Sequence, residues 1–76
     1  MGMQKTAQRL QTALAARGRD VSITQRTFYS RAYGRVLTKY VVRERDPVTH
    51  KSPRLLETYR LQEVVQLLAE LYQDSV

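Results

Sequence analysis

The side chains best suited to chemistry are the cations and rings of one segment, "FYSRAYGRVLTKYVVRER", at residues 28–45. Five of its residues are Arg or Lys, four are aromatic, and Glu44 is the one acid. Guanidinium and ammonium groups neutralise phosphates, and aromatic rings stack on bases. This combination of residues favours contact with nucleic acid.

Side chains for catalysis or metal binding are sparse. The chain has no cysteine, which excludes disulfides and thiolate metal sites. His50 is the one histidine, and Glu63 and Glu70 are seven residues apart on one helical segment, where solvated side chains are expected. The sequence contains neither a Gly-rich phosphate loop nor a nucleophile motif. We therefore expect a protein that is not an enzyme and that uses no cofactor or metal ion.

Charge is unevenly distributed along the chain. The net charge is +6, and residues 26–45 contribute six cations against Glu44. Residues 61–76 carry three acids and no Arg or Lys. A basic middle segment of this kind predicts nucleic acid, DNA or RNA, or an acidic protein surface as the partner.

Length and hydropathy bound the class of protein. A chain of 76 residues predicts a single small domain, residues 1–76, with a small core. No apolar run approaches the roughly 18 residues that span a bilayer, and no signal peptide is evident. We therefore expect a soluble, cytoplasmic protein with no membrane contact. The segment 1–3, Met-Gly-Met, is typical of a cloning remnant.

Two segments have helical periodicity. Apolar residues recur at three- and four-residue steps in both, namely Met3, Ala7, Leu10, Ala13 and Leu14 in the first and Val64, Leu67, Leu68 and Leu71 in the second. The first helix is predicted at residues 4–17, with Gly18 ending it in a left-handed conformation. Arg17 and Arg19 then lie where cations complement the dipole of this helix. The second helix is predicted at residues 62–72.

Two segments alternate as strands do. They are "DVSITQRTFY" and "RVLTKYVVRER", and "SRAYG" between them predicts a hairpin loop with Gly34 at positive φ. Burying Lys39 and Arg43 unpaired would cost several kcal/mol, so the alternate residues Thr38, Tyr40 and Val42 should face the core. The segment "RLLETYR", residues 54–60, is compatible with a third strand or with the start of the last helix.

These elements predict an α+β fold of order α-β-β-β-α, a three-stranded antiparallel sheet with two helices packed on one face. The opposite sheet face then remains open to solvent. It and the hairpin loop collect the candidate nucleic-acid-binding residues, which are Arg26, Phe28, Arg31, Tyr33, Arg35, Lys39 and Arg43.

The α-β-β-β-α order resembles the double-stranded RNA-binding domain over the whole chain. Where that family places a Lys-rich helix start and a Gly-Pro-x-His loop, this chain has "RLQEVVQLLAEL" and "SRAYGR". The resemblance therefore implies the fold and not that family's binding mode. The segments "KTAQRLQTALAARG", "TFYSRAYGRVLTKYVV" and "LLETYRLQEVVQLLAELY" also resemble small prophage and mobile-element proteins of Firmicutes, and the order is similar to that of some phage anti-CRISPR proteins.

Two functional hypotheses follow. In the first, the arginines and lysine of the open face contact phosphates, while Phe28 and Tyr33 stack on bases or wedge between them. In the second, the chain is an adaptor or inhibitor of a phage or mobile element, and Leu37, Val41 and Leu55 contact a protein within a charged rim. Both hypotheses are compatible with a monomer or a homodimer.

Overall fold

Residues 3–75 form two helices and three strands in the predicted order. The computed structural model describes residues 3–75, and Met1 and Gly2 of the predicted cloning remnant lie outside this range. The elements are α1 (Met3–Ala16), β1 (Asp20–Ser30), β2 (Arg35–Arg45), β3 (Arg54–Thr58) and α2 (Leu61–Asp74). The strands form one antiparallel sheet in the order β1-β2-β3, which confirms the predicted fold class.

Segment 54–60 is a strand followed by a short connection. β3 pairs with β2 from Thr58, opposite Tyr40, and the register shifts at a bulge after Val42. The Thr58 hydroxyl donates to the Glu63 carboxylate (2.6 Å) and accepts from the Arg60 backbone N–H (3.1 Å). These two hydrogen bonds tie the end of β3 to the first turn of α2.

Gly18 ends α1 as its position in the sequence predicts. Its φ is 82°, and its N–H donates to the Ala15 carbonyl at 3.0 Å. The N–H of Arg19 donates to the Leu14 carbonyl at 2.9 Å. These are the two hydrogen bonds of a Schellman motif, which satisfies the last helical carbonyls while the chain turns toward β1.

Both helices pack on one face of the sheet, and the core lies between the two layers. Among the described residues, its largest fully buried side chains are Leu14, Val42, Val64 and Leu68. Tyr40 is also buried. This confirms the prediction that Tyr40 faces the core and that Lys39 lies on the opposite face. Burying one such apolar side chain contributes about 1.5–3 kcal/mol. Within residues 3–75, no helix has the length and apolar character required to cross a bilayer.

The two arginines that follow α1 hold the C-terminal end of α2. Arg19 donates two hydrogen bonds to the Glu44 carboxylate (2.8 and 2.7 Å) and one to the Leu71 carbonyl (3.1 Å). Arg17 donates to the Tyr72 carbonyl at 3.0 Å, and its guanidinium lies 3.8 Å from the Tyr72 ring centroid. These cations, which directly follow α1, therefore also complement the dipole of α2.

β1 and β2 continue beyond the helices as a two-stranded ribbon, residues 26–39. The β1–β2 pairing extends to Ser30 opposite Arg35, whereas β3 pairs only with residues 40–43 of β2. On the helix side of the ribbon, Tyr29 is 64% exposed and Val36 is 61% exposed, so neither helix covers them. At the hairpin loop, the N–H of Gly34 (φ 64°) donates to the Ser30 carbonyl at 2.8 Å.

Candidate nucleic-acid interface

The predicted site residues lie on the sheet face opposite the helices, here called the outer face, and on the hairpin loop. The register pairs Arg26 with Lys39 and Phe28 with Leu37, which places each pair side by side on one face. Because alternate residues of β2 point in opposite directions, Lys39 lies on the face away from the buried Tyr40. The structure therefore brings β1 and β2 site residues together, but it divides them into two regions.

The first region, here called the root surface, comprises Lys39, Val41, Arg43, Arg54 and Glu57. Glu57 forms ion pairs with both Lys39 and Arg54. Arg43 donates to the carbonyl of Ser52 at 3.1 Å. Lys39 and Arg43 were predicted to contact phosphates, yet each is half-buried and already has a partner within the chain.

Two cations lower the pKa of Glu57. The hydrogen bond from Lys39, and after it the hydrogen bond from Arg54, holds the pKa of Glu57 below its usual value of 4.5, although desolvation acts in the opposite direction. At neutral pH the carboxylate therefore offsets positive charge on the root surface. This part of the outer face attracts a polyanion less strongly than its sequence indicates.

The second region, here called the tip surface, carries exposed cations that have no acidic partner. Arg26, Arg31 and Arg35 are exposed, and no carboxylate within residues 3–75 pairs with any of them. Arg60, at the start of α2, is also exposed and has no carboxylate partner within residues 3–75. These four guanidinium groups have all their donors available for phosphate oxygens.

Aromatic rings lie among these cations. The Phe28 and Tyr59 rings contact each other across β2, with centroids 6.2 Å apart and planes inclined by 58°. Phe28 and the neighbouring Leu37 are half-buried, whereas Tyr59 is 56% exposed and Tyr33, in the hairpin loop, is 71% exposed. Two of the three rings thus present accessible faces, as a surface that stacks on bases requires.

The rings and cations enclose an open cleft of about 430 Å³ at the tip surface, here called the tip cleft. Its walls are the side chains of Phe28, Ser30, Tyr33, Arg35, Leu37, Tyr59 and Arg60. β1, the hairpin loop, β2 and the β3–α2 connection each contribute at least one of them. Within residues 3–75 no carboxylate lines the cleft, so its electrostatic preference is for an anion.

Tyr59 and Arg60 were absent from the predicted site. If the segment "RLLETYR" is a strand, its alternation directs Tyr59 outward. The sequence therefore contained a signal that Tyr59 belongs to the open face. Arg60 had no such signal, because its position depends on how the chain passes from β3 to α2. Of the predicted protein-contact residues, Leu37 and Val41 are half-buried and Leu55 is 41% exposed.

Comparison with known proteins provides no further guide. The chain matches no protein-family model, no curated protein sequence and no solved structure. Function is therefore inferred from the geometry and the charge of the outer face alone.

Proposed function

We propose that this protein is a non-enzymatic nucleic-acid-binding module of the cytoplasm that contacts DNA or RNA through the tip surface. The observation that carries this proposal is the group of exposed guanidinium groups at Arg26, Arg31, Arg35 and Arg60, none of which pairs with a carboxylate of residues 3–75. Each such group that neutralises a phosphate releases condensed counterions, which provides sequence-independent affinity.

The distribution of acids also supports binding through the sheet and hairpin loop and not through α2. The carboxylates of α2, Glu63, Glu70 and Asp74, are exposed on the helix layer, whereas Arg26, Arg31 and Arg35 lie on the sheet and its hairpin loop. A polyanion is therefore repelled by the exposed surface of α2 and attracted to the hairpin side of the sheet. The acidic helix should therefore remain outside the interface.

The rings favour nucleic acid over an acidic protein surface as the partner. Free arginines would serve either partner, but exposed rings among guanidinium groups match bases linked by phosphates. The apolar residues that would contact a protein partner are partly covered, since Leu37 and Val41 are half-buried and, of the three, only Leu55 is exposed. A protein partner accordingly becomes the leading proposal only if nucleic acid fails to bind.

The experiment compares Arg35→Ala with Arg9→Ala, which removes the same charge from the exposed surface of α1. Binding of labelled single- and double-stranded oligonucleotides is followed by fluorescence anisotropy at several salt concentrations. We expect Arg35→Ala to weaken binding and to lower the salt slope by about 0.7–0.9, the contribution of one phosphate contact. Arg9→Ala should leave both nearly unchanged.

Two results would contradict the proposal. One is wild-type affinity weaker than roughly 100 μM at about 50 mM salt, which is below ordinary non-specific binding. The other is an equal loss in the two variants, because this would mean that the net charge of the chain, and not the tip surface, attracts the oligonucleotide.

A further inference from the structure

We propose that the tip cleft binds an unpaired nucleobase, so that the protein prefers single-stranded nucleic acid to duplex. This inference rests on the proposed function, since it names the form of nucleic acid that the same surface takes. The base would stack on Tyr33 or Tyr59, and Arg35 and Arg60 would bind the phosphates on either side of it.

Tyr59 is held in place before any ligand binds. Its contact with Phe28, at 6.2 Å between centroids, fixes one part of the ring, while 56% of the residue stays exposed. A ring that is already positioned loses little conformational freedom on binding, which favours affinity. Tyr33 offers a second ring, which lines the cleft from the hairpin loop.

The two cations of the cleft lie at opposite ends of it. Arg35 begins β2 at the hairpin loop, and β3 runs toward that loop, ending with Thr58 opposite Tyr40. Arg60 follows this end of β3 and lines the cleft from there. A base between the rings would therefore have a guanidinium group on each side along the ribbon, as the two phosphates that flank a nucleotide require.

The chemistry of the cleft selects against a duplex. In a duplex both faces of each base are stacked on neighbouring bases, so neither Tyr33 nor Tyr59 could reach one without disrupting the helix. An unpaired base presents its faces freely, and stacking of this kind tolerates every base type. We therefore expect a preference for single strands with little dependence on their sequence.

The test uses anisotropy titrations with a labelled single strand and a hairpin duplex of equal phosphate number, at one salt concentration. Tyr33→Ala and Tyr59→Ala should each weaken single-strand binding by about 5- to 140-fold, the equivalent of 1–3 kcal/mol per stacked base. Duplex binding should change less than about twofold. The matched control is Tyr29→Ala, because Tyr29 is 64% exposed on the helix side of the same ribbon.

Substitution by phenylalanine separates stacking from loss of structure. Tyr33→Phe and Tyr59→Phe keep the ring and should bind the single strand as the wild type does. Tyr59→Ala removes the contact with Phe28, so circular dichroism checks its fold. Tyr33 lies in the exposed loop, so Tyr33→Ala decides the question if Tyr59→Ala is unfolded.

The outcomes distinguish this inference from the proposed function. If Tyr33→Ala binds the single strand as tightly as the wild type, while Arg35→Ala still binds more weakly than Arg9→Ala, base binding is overturned and the phosphate contacts stand. Tighter binding to the duplex than to the single strand overturns base binding as well. If neither oligonucleotide binds, both proposals are wrong.

Discussion

Lys39 and Glu57 form an ion pair between the neighbouring strands β2 and β3, on the face of the sheet that the helices leave uncovered. Arg54 is a second partner of the same carboxylate. One acid thus pairs with two cations and offsets one of the two positive charges that the sequence alone presents as free. The consequence is that the binding potential of the outer face is concentrated toward the hairpin loop.

Glu57→Gln should strengthen nucleic-acid binding. Removing this carboxylate releases Lys39 and Arg54, so we expect affinity to rise severalfold at low salt and the salt slope to increase by up to about one. Anisotropy titrations at several salt concentrations measure both quantities. Glu70→Gln is the control, because it removes an equal charge from the exposed surface of α2. Equal gains in the two variants would show that Glu57 has no local effect.

The pH dependence of stability should reflect Glu57. Its pKa is lower in the folded chain than its usual value of 4.5, chiefly because Lys39 donates a hydrogen bond to it. The ion pairs therefore stabilise the fold above that value, and this stabilisation is lost as the pH falls through the lower pKa of the folded state. We expect the urea midpoint to fall over this acidic range.

Lys39→Ala provides the comparison for this titration. In this variant the NMR titration midpoint of the Glu57 carboxyl should move up toward the usual value, and the loss of stability in acid should become smaller. An unchanged midpoint would mean that Lys39 does not cause the shift.

Arg19→Ala should destabilise the fold by about 1–2 kcal/mol, since it removes three hydrogen bonds of a charged group that is about one-quarter exposed. Glu44 raises the pKa of Arg19 above its ordinary value, chiefly through the hydrogen bonds that its carboxylate accepts from the guanidinium. Urea denaturation measures the loss. Arg19→Lys should recover only part of it, because an ammonium group cannot match the paired donors of a guanidinium.

Leu68→Ala should be the more severe change, because Leu68 is fully buried. We expect a loss of about 2–5 kcal/mol, which is a large part of the total stability of a small domain. Leu55→Ala is the matched control, since Leu55 is 41% exposed and surface changes cost about 0.5 kcal/mol or less. Thermal unfolding followed by circular dichroism compares the two. Similar losses would contradict the placement of the core.

The sequence was sufficient to predict most of the fold. Helical and strand periodicities identified α1, β1, β2 and α2, and the cost of burying Lys39 gave the correct face of β2. Segment 54–60 could not be assigned because its five-residue strand is short and adjoins a helix with a similar apolar pattern. The contacts of the two arginines after α1 with the end of α2 could not be predicted, since they join residues far apart in sequence.

Less of the candidate site than of the fold could be predicted from the sequence. Arg26, Phe28, Tyr33 and Arg35 could be grouped because they belong to one hairpin, whose pairing follows from the loop. The neutralisation of Lys39 could not be foreseen, because the register of β3 depends on the bulge after Val42. The contact between Phe28 and Tyr59 also depends on that register. The tip cleft, which both rings line, therefore depends on it as well.

We expect the local stability of the β1–β2 ladder to decrease along the ribbon toward the hairpin loop. Near Ile23 and Val42 the β1–β2 ladder lies under the core, whereas near Tyr29 and Val36 its helix side is open to solvent. Local opening at the hairpin end exposes little additional apolar surface, so amide hydrogen exchange should become faster from Val42 toward Arg35. A ligand held at this end would close such openings, and occupancy of the site would be detectable as slower exchange in strands that the ligand contacts on only one side.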